Sequence, residues 1–136
     1  MTGADYVIVF DGGSKSNPGH GYGSYAVTVA GQRRKQIERL TFPGIVTNNE
    51  AEYDTLIAAL AALPESIRAG GRQPGDCTIE VRGDSLLVIC QVTGRWKAHE
   101  PRMARRRDQV LALARQFKSV SFVHHARAHS VRALGH

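Results

Sequence analysis

The sequence predicts an α/β fold, a mixed five-stranded sheet flanked by helices, and three observations predict it. Short runs rich in β-branched and aromatic residues recur five times along the chain. Between them stand stretches whose apolar residues return at helical spacing, the first opened by a capping signal at Thr47-Asn48-Asn49-Glu50. The resulting order is three strands, a helix, a strand, two helices and a strand, which suits a sheet with helices packed on it. At 136 residues the chain is long enough for one core but not two, so residues 1–136 are expected to form a single domain.

Each element follows from local chemistry. Tyr6-Val7-Ile8-Val9-Phe10 is too short for a helix and has no polar alternation, so it reads as a strand buried on both faces near the sheet's centre. Residues 11–22, DGGSKSNPGHGY, are dense in Gly, Ser, Asn and Pro and read as a loop. Strands over 23–29 and 34–42 then form an antiparallel hairpin around Ala30-Gly31-Gln32. Behind the capping box, Tyr53, Leu56, Ile57 and Leu60 make the buried stripe of a helix expected to end at Pro64. A loop over 70–75 leads to a strand over 77–81, and a short helix carrying Leu87, Val88 and Gln91 starts at Asp84. Pro101 opens a further helix whose inner face is Met103, Val110, Ala114 and Phe117, and a last strand over 119–124 precedes a short tail.

Composition narrows the classes of function. With 42% hydrophobic and 22% charged residues the chain is neither disordered nor collagen-like. No apolar run is long enough to span a bilayer and the start lacks a secretory signal, so no membrane is expected and a cytoplasmic setting follows. Cys77 and Cys90 lie in apolar surroundings without CxxC spacing and read as buried thiols. The net charge of +6 is unevenly placed: residues 1–94 carry eight basic and ten acidic side chains, residues 95–136 ten basic and two acidic. Such a basic segment suits a polyanionic partner, although a solvated helix face has the same composition.

Three acids stand at unusual places. Asp11 directly follows a buried strand, Asp84 follows another within three residues, and Glu52 lies at the edge of the first helix's buried stripe. If the two strands are neighbours, the three converge where α/β sheets bind ligands, and their mutual repulsion calls for cations. Hard oxygen donors of this kind suit Mg²⁺ or Mn²⁺. Singly, each has a blander reading: an Asp turn at Asp11, a dipole partner at Glu52, an N-cap at Asp84.

The words FDGGSKSNPG, TNNEAEY, VRGDS and GRWK, in this order, resemble type 1 ribonuclease H over almost the whole chain. The passage from Gly94-Arg95-Trp96-Lys97 straight into the next helix resembles the short form without a basic protrusion. The resemblance implies a ribonuclease-H-like sheet and endonucleolytic cleavage of the RNA strand of RNA/DNA hybrids. It implies two divalent ions, Mg²⁺ or Mn²⁺, with Asp11 bridging them and Glu52 and Asp84 holding one of them, and no small-molecule cofactor. By the same resemblance Gly12, Gly13, Ser14 and Asn17 approach the RNA backbone, Asn48, Asn49 and Ser85 read the minor groove beside the 2′-hydroxyl, and Thr47 contacts a DNA-strand phosphate. Arg102, Arg105, Arg106 and Arg107 cluster in one helix and stand as candidate phosphate contacts, with a solvated face as the alternative. Trp96 reads as a core anchor at a helix junction, with a stacking surface beside the DNA strand as the alternative.

The C-terminus departs from the family pattern. Leu134 stands at the position of a fourth metal-site carboxylate, no acid follows Asp108, and the final helix is expected to be shortened or absent. Three outcomes follow. His129, His136 or water completes the second metal site, with a Mn²⁺ preference if a histidine does so. Alternatively the tail rearranges or is exchanged in a dimer, so that Glu50, Asp54 or a partner acid supplies the oxygen, although a monomer is the first expectation. In the third outcome the chain is a hybrid-binding module with weak or no catalysis. His125 and His129 are also candidates for assisting proton transfer or product departure.

Overall fold

A computed structural model describes residues 3–135. Its centre is a five-stranded sheet built from β1 (Tyr6–Ser14), β2 (Gly19–Val29), β3 (Lys35–Val46), β4 (Thr78–Gly83) and β5 (Ser119–His124). The order across the sheet is β3-β2-β1-β4-β5; β1, β2 and β3 run antiparallel, while β4 lies parallel to both β1 and β5. Four helices complete the fold: α1 (Asn48–Ala69), α2 (Leu86–Val92), α3 (Pro101–Ala114) and α4 (Arg127–Leu134).

The core lies between one face of the sheet and α1, α2 and α3. Tyr6, Ile8 and Phe10 alternate inward from β1 and meet Leu56, Leu60 and Ile67 of α1, with Ile79 and Val81 of β4 beside them. The central place expected for the first strand is where β1 lies. Cys77 and Cys90 are buried free thiols, as their surroundings indicate.

Two sequence expectations are corrected here. Residues 11–22 are not all loop: β1 continues through Ser14 and β2 starts at Gly19, with Asp11 paired to Ser24 and Gly12 to Gly23. The glycines answer to close packing instead of turning. A Cβ on Gly12 would stand 2.5 Å from the Ala51 carbonyl oxygen, and one on Gly23 would collide with the Thr55 hydroxyl. Nor does Pro64 end α1, which runs on to Ala69 with the proline inside it. An interior proline costs about 3 kcal/mol. The helix continues because Leu63 and Ile67 are buried beyond and beside it, each contributing roughly 1.5–3 kcal/mol.

The final helix is present and short. It covers the other face of the sheet, packing on β1 and β2 with Ser130 and Leu134 as its buried residues. Its last carbonyls are capped from β3: Lys35 donates to the Arg132 and Ala133 oxygens, and Arg39 Nη2 donates to the Leu134 oxygen at 3.2 Å. Leu134 is therefore the apolar anchor of α4, wholly removed from solvent. Leu134→Ala is expected to destabilise the protein by roughly 2–5 kcal/mol, read as a lower urea midpoint at unchanged m.

Candidate active site

The parallel pairing of β1 and β4 sets the site. Phe10 lies opposite Gly83, so the next residues on each strand, Asp11 and Asp84, emerge side by side at the same sheet edge. The close approach of α1 to Gly12 brings Glu52 to them, and the Gly12 N–H donates to Glu52 Oε1 at 2.7 Å. One carboxylate oxygen from each of Asp11, Glu52 and Asp84 lies within 4.8 Å of the others. Asp84 does not cap α2; Ser85 does, its Oγ accepting from Val88 N at 3.3 Å.

Electrostatics mark this as a strained grouping of charge. Burial, then the charges of Asp11 and Asp84, push the Glu52 carboxyl up to about 9, against the weaker lowering by the Gly12 N–H and by Arg127. Three converging oxygen donors of one sign fit one divalent cation as a ligand set, because a cation offsets the repulsion that otherwise leaves Glu52 protonated.

Beside the acids the N-terminus of α1 is locked to the β1–β2 turn. Thr47 and Glu50 form the predicted capping box. Asn48 Oδ1 accepts from the Ser14 amide at 2.8 Å, and Asn17 Oδ1 accepts from the Asn48 amide at 2.9 Å. Asn48 and Asn49 are exposed. The Thr47 oxygen accepts from Glu50 N, which leaves its O–H able to donate outward. A shallow groove runs from here, lined by Asn17, Thr47, Asn49, Gln91, Lys97 and His99. Lys97 and His99 are additions that sequence reasoning did not single out; the word GRWK contains Lys97, and His99 lies two residues beyond it.

Other candidates lie elsewhere. His129 is not with the acids: it lies over β4 on the α4 side, its Nδ1 2.7 Å from Arg132 Nη2, in a cleft shared with Arg82 and His125. Among the described residues the three acids alone form a possible metal-holding group, so His129 does not complete it. His136 lies outside the described residues. His125 Nε2 is 2.7 Å from Ser130 Oγ, and burial, with His129 beside it, holds its imidazole below the ordinary histidine range.

Glu50 and Asp54 do not supply a fourth oxygen either. Glu50 Oε2 lies 2.8 Å from Arg102 and 3.1 Å from Arg106, and Asp54 Oδ1 lies 2.9 Å from Arg106 Nε. These pairs fasten α3 to α1. They also engage Arg106, whose side chain is 19% exposed, whereas Arg105 is open to solvent. Trp96 is no core anchor: the residue is 47% exposed, and only its backbone N–H is tied, to the Cys90 carbonyl. Arg127, which sequence reasoning left without a role, places Nη1 3.7 Å from Asp84 Oδ2.

Comparison with known proteins agrees with this geometry. A family model described as reverse transcriptase-like matches residues 9–134. Ribonuclease HI of Halobacterium salinarum is 40% identical over 124 residues, which are 91% of this chain and 58% of that protein. The chain thus spans rather over half the length of that curated relative. The crystal structure of RNase H1 from Halobacterium salinarum NRC-1 superposes with a TM-score of 0.82 at 36% identity, covering 94% of this chain and 90% of that one. LC11-RNase H1, solved in complex with an RNA/DNA hybrid, gives a TM-score of 0.76 at 30% identity over 94% of this chain and 90% of its own.

Proposed function

Because the chain belongs to the type 1 ribonuclease H family, we propose that it is a metal-dependent endonuclease that hydrolyses the RNA strand of RNA/DNA hybrids. The observation that carries this reading is the convergence of Asp11, Glu52 and Asp84 beside an exposed asparagine-rich helix start. Of the two ions that the resemblance implies, the described residues provide carboxylates for one, and an all-oxygen set suits Mg²⁺ and Mn²⁺ alike. A divalent ion, if held by Asp11, Glu52 and Asp84, would supply Lewis acidity at this point.

The remaining tasks fall to the chain. Gly12 fixes Glu52 through its amide, so one acid is positioned by the strand that carries another. Asn48, already oriented by Ser14, offers its amide nitrogen outward, and Asn49 and Ser85 flank it; these suit a minor groove displaying 2′-hydroxyls. Gly12, Gly13 and Asn17 serve the RNA backbone, and Thr47 a DNA-strand phosphate in the groove that Lys97 and His99 share. Arg105 remains open to more distant phosphates, while Arg102 and Arg106 hold α3 to α1 through Glu50. Recognition of this kind follows backbone shape, so little base specificity is expected. One chain provides all three acids, so a monomer suffices, and buried unpaired thiols accord with a reducing cytoplasm.

The test is cleavage of a labelled hybrid in Mg²⁺ and separately in Mn²⁺, with single-stranded and duplex RNA as controls. Cleavage confined to the RNA strand of the hybrid, and reduced by about a thousandfold in Asp11→Asn, is the expected result. Because Leu134 removes a carboxylate, binding without cleavage in either metal is the outcome that would make the chain a hybrid-binding module instead.

A further inference from the structure

We propose that the cleft under α4, on the face of the sheet turned away from α1, is a binding site for a phosphate monoester of nucleotide size. It stands apart from the three acids and does not depend on the hydrolytic reading.

Strand alternation makes the cleft. Tyr6, Ile8 and Phe10 turn inward from β1, and Ile79 and Val81 from β4, so Val9, Glu80 and Arg82 face the other side. Arg82 pairs with Val9 on one flank and Val123 on the other, which gives it an apolar shoulder on each side. Because α4 packs on β1 and β2, it covers only part of this face. What remains is a cleft of about 550 Å³, to which Lys35, His129 and Arg132 also contribute. Small-molecule sites span roughly 300–1,000 Å³, so a nucleotide fits.

Charge selects the ligand. Lys35, Arg82 and Arg132 line the cleft with a single acid, Glu80, and that acid is bonded to Arg82. With the imidazoles neutral, two positive charges stand in excess. A phosphate monoester, which carries about two negative charges near pH 7, balances them.

The donors are also in place. A guanidinium can only donate, so His129 Nδ1 accepts from Arg132 Nη2 at 2.7 Å and the ring proton sits on Nε2, a further donor of the cleft. Arg82 spends its Nε on Glu80 and Arg132 one nitrogen on His129, so each fork keeps N–H groups suited to phosphate oxygens. Lys35 differs: it donates to the Arg132 and Ala133 carbonyls and contributes charge more than contact. His125, bonded to Ser130 and held below the ordinary range by burial and by His129, forms a neutral wall. Val9, Val123 and the imidazole faces offer apolar surface to the sugar and base.

The experiment titrates adenosine 5′-monophosphate into the full chain in EDTA by calorimetry, where the three acids hold no ion and repel the probe. One saturable site per chain is expected, inorganic phosphate should compete for it, and adenosine should not bind. Arg132→Gln should weaken the nucleotide by about tenfold or more. Arg132 is exposed, so this variant should keep the parent's urea midpoint. Lys97→Ala, in the groove beside Thr47, should leave the affinity unchanged. In the parent, the ring protons of His129 should shift by nuclear magnetic resonance as the nucleotide saturates, a readout that needs no variant. A 5′-phosphorylated trinucleotide distinguishes the sources of the phosphate: tighter binding than the mononucleotide assigns the site to the end of a nucleic-acid strand, and equal or weaker binding assigns it to free nucleotides. No saturable binding, adenosine binding as tightly as its phosphate, or a loss confined to Lys97→Ala would overturn the proposal.

Discussion

Glu52→Gln is expected to stabilise the metal-free protein while removing its activity. The Glu52 carboxyl, 8% exposed, is pushed up to about 9 chiefly by burial and then by Asp11 and Asp84. Below its ordinary value of 4.5 the group is protonated in both the folded and unfolded chain and contributes nothing. Between there and about 9 the unfolded chain releases a proton that the folded one retains, so stability falls as pH rises. At pH 7 this amounts to about 3 kcal/mol of destabilisation, at 1.36 kcal/mol per unit. Glutamine keeps the oxygen that accepts from Gly12 and cannot ionise. In EDTA at pH 7.5 the variant should therefore melt on the order of 10 °C higher than its parent, with the gap narrowing toward pH 5. A variant that melts lower, or a gap independent of pH, would refute this. Addition of Mn²⁺ should raise the parent's melting point and leave the variant's nearly unchanged, because the ion needs the ionised carboxylate. Cleavage should fall at least about a hundredfold. The site would then be one where stability has been given up for function.

The same residues show what a sequence makes legible. The three acids are readable because each directly follows or flanks a buried element, and the parallel pairing of β1 with β4 brings the two strand ends together. The capping box at Thr47 is readable because it is purely local chemistry. What escaped depended on contacts between elements distant in sequence. Gly12 and Gly23 look like turn residues until α1 is laid across them, when their missing side chains become the space the helix occupies. Pro64 looks like a stop until the burial of Ile67 is counted against it. Leu134 is legible as a lost carboxylate, but not as an anchor whose helix is capped by Lys35 and Arg39, some ninety-five residues away on the hairpin. Arg127 carries no local signal at all, and its nearness to Asp84 follows only from β5 pairing with β4.

Gly12→Ala is expected to separate the acids without touching any of them. A Cβ there would stand 2.5 Å from the Ala51 carbonyl oxygen, 2.7 Å from its carbon and 2.9 Å from the Glu52 nitrogen. All three atoms are backbone of the first turns of α1, so no rotamer change relieves the clash, and the helix start must move away from β1. Overpacking of this kind costs about 1–3 kcal/mol. The functional loss should be larger than that figure suggests, because the displaced turn carries Glu52 and breaks the Gly12 to Glu52 bond at 2.7 Å. A shift on the order of 1 Å in a catalytic group costs about a hundredfold in rate. Gly13→Ala is the contrast on stability: its Cβ would meet the Tyr22 hydroxyl at 2.9 Å, the end of a side chain on a residue 45% exposed that can swing aside. Urea unfolding should therefore separate the two variants, with Gly13→Ala within about 1 kcal/mol of the parent. Mn²⁺ affinity should fall in Gly12→Ala and hold in Gly13→Ala. Equal affinities would mean that the three carboxylates do not depend on the contact between β1 and α1, and that the site tolerates a looser frame than its packing indicates.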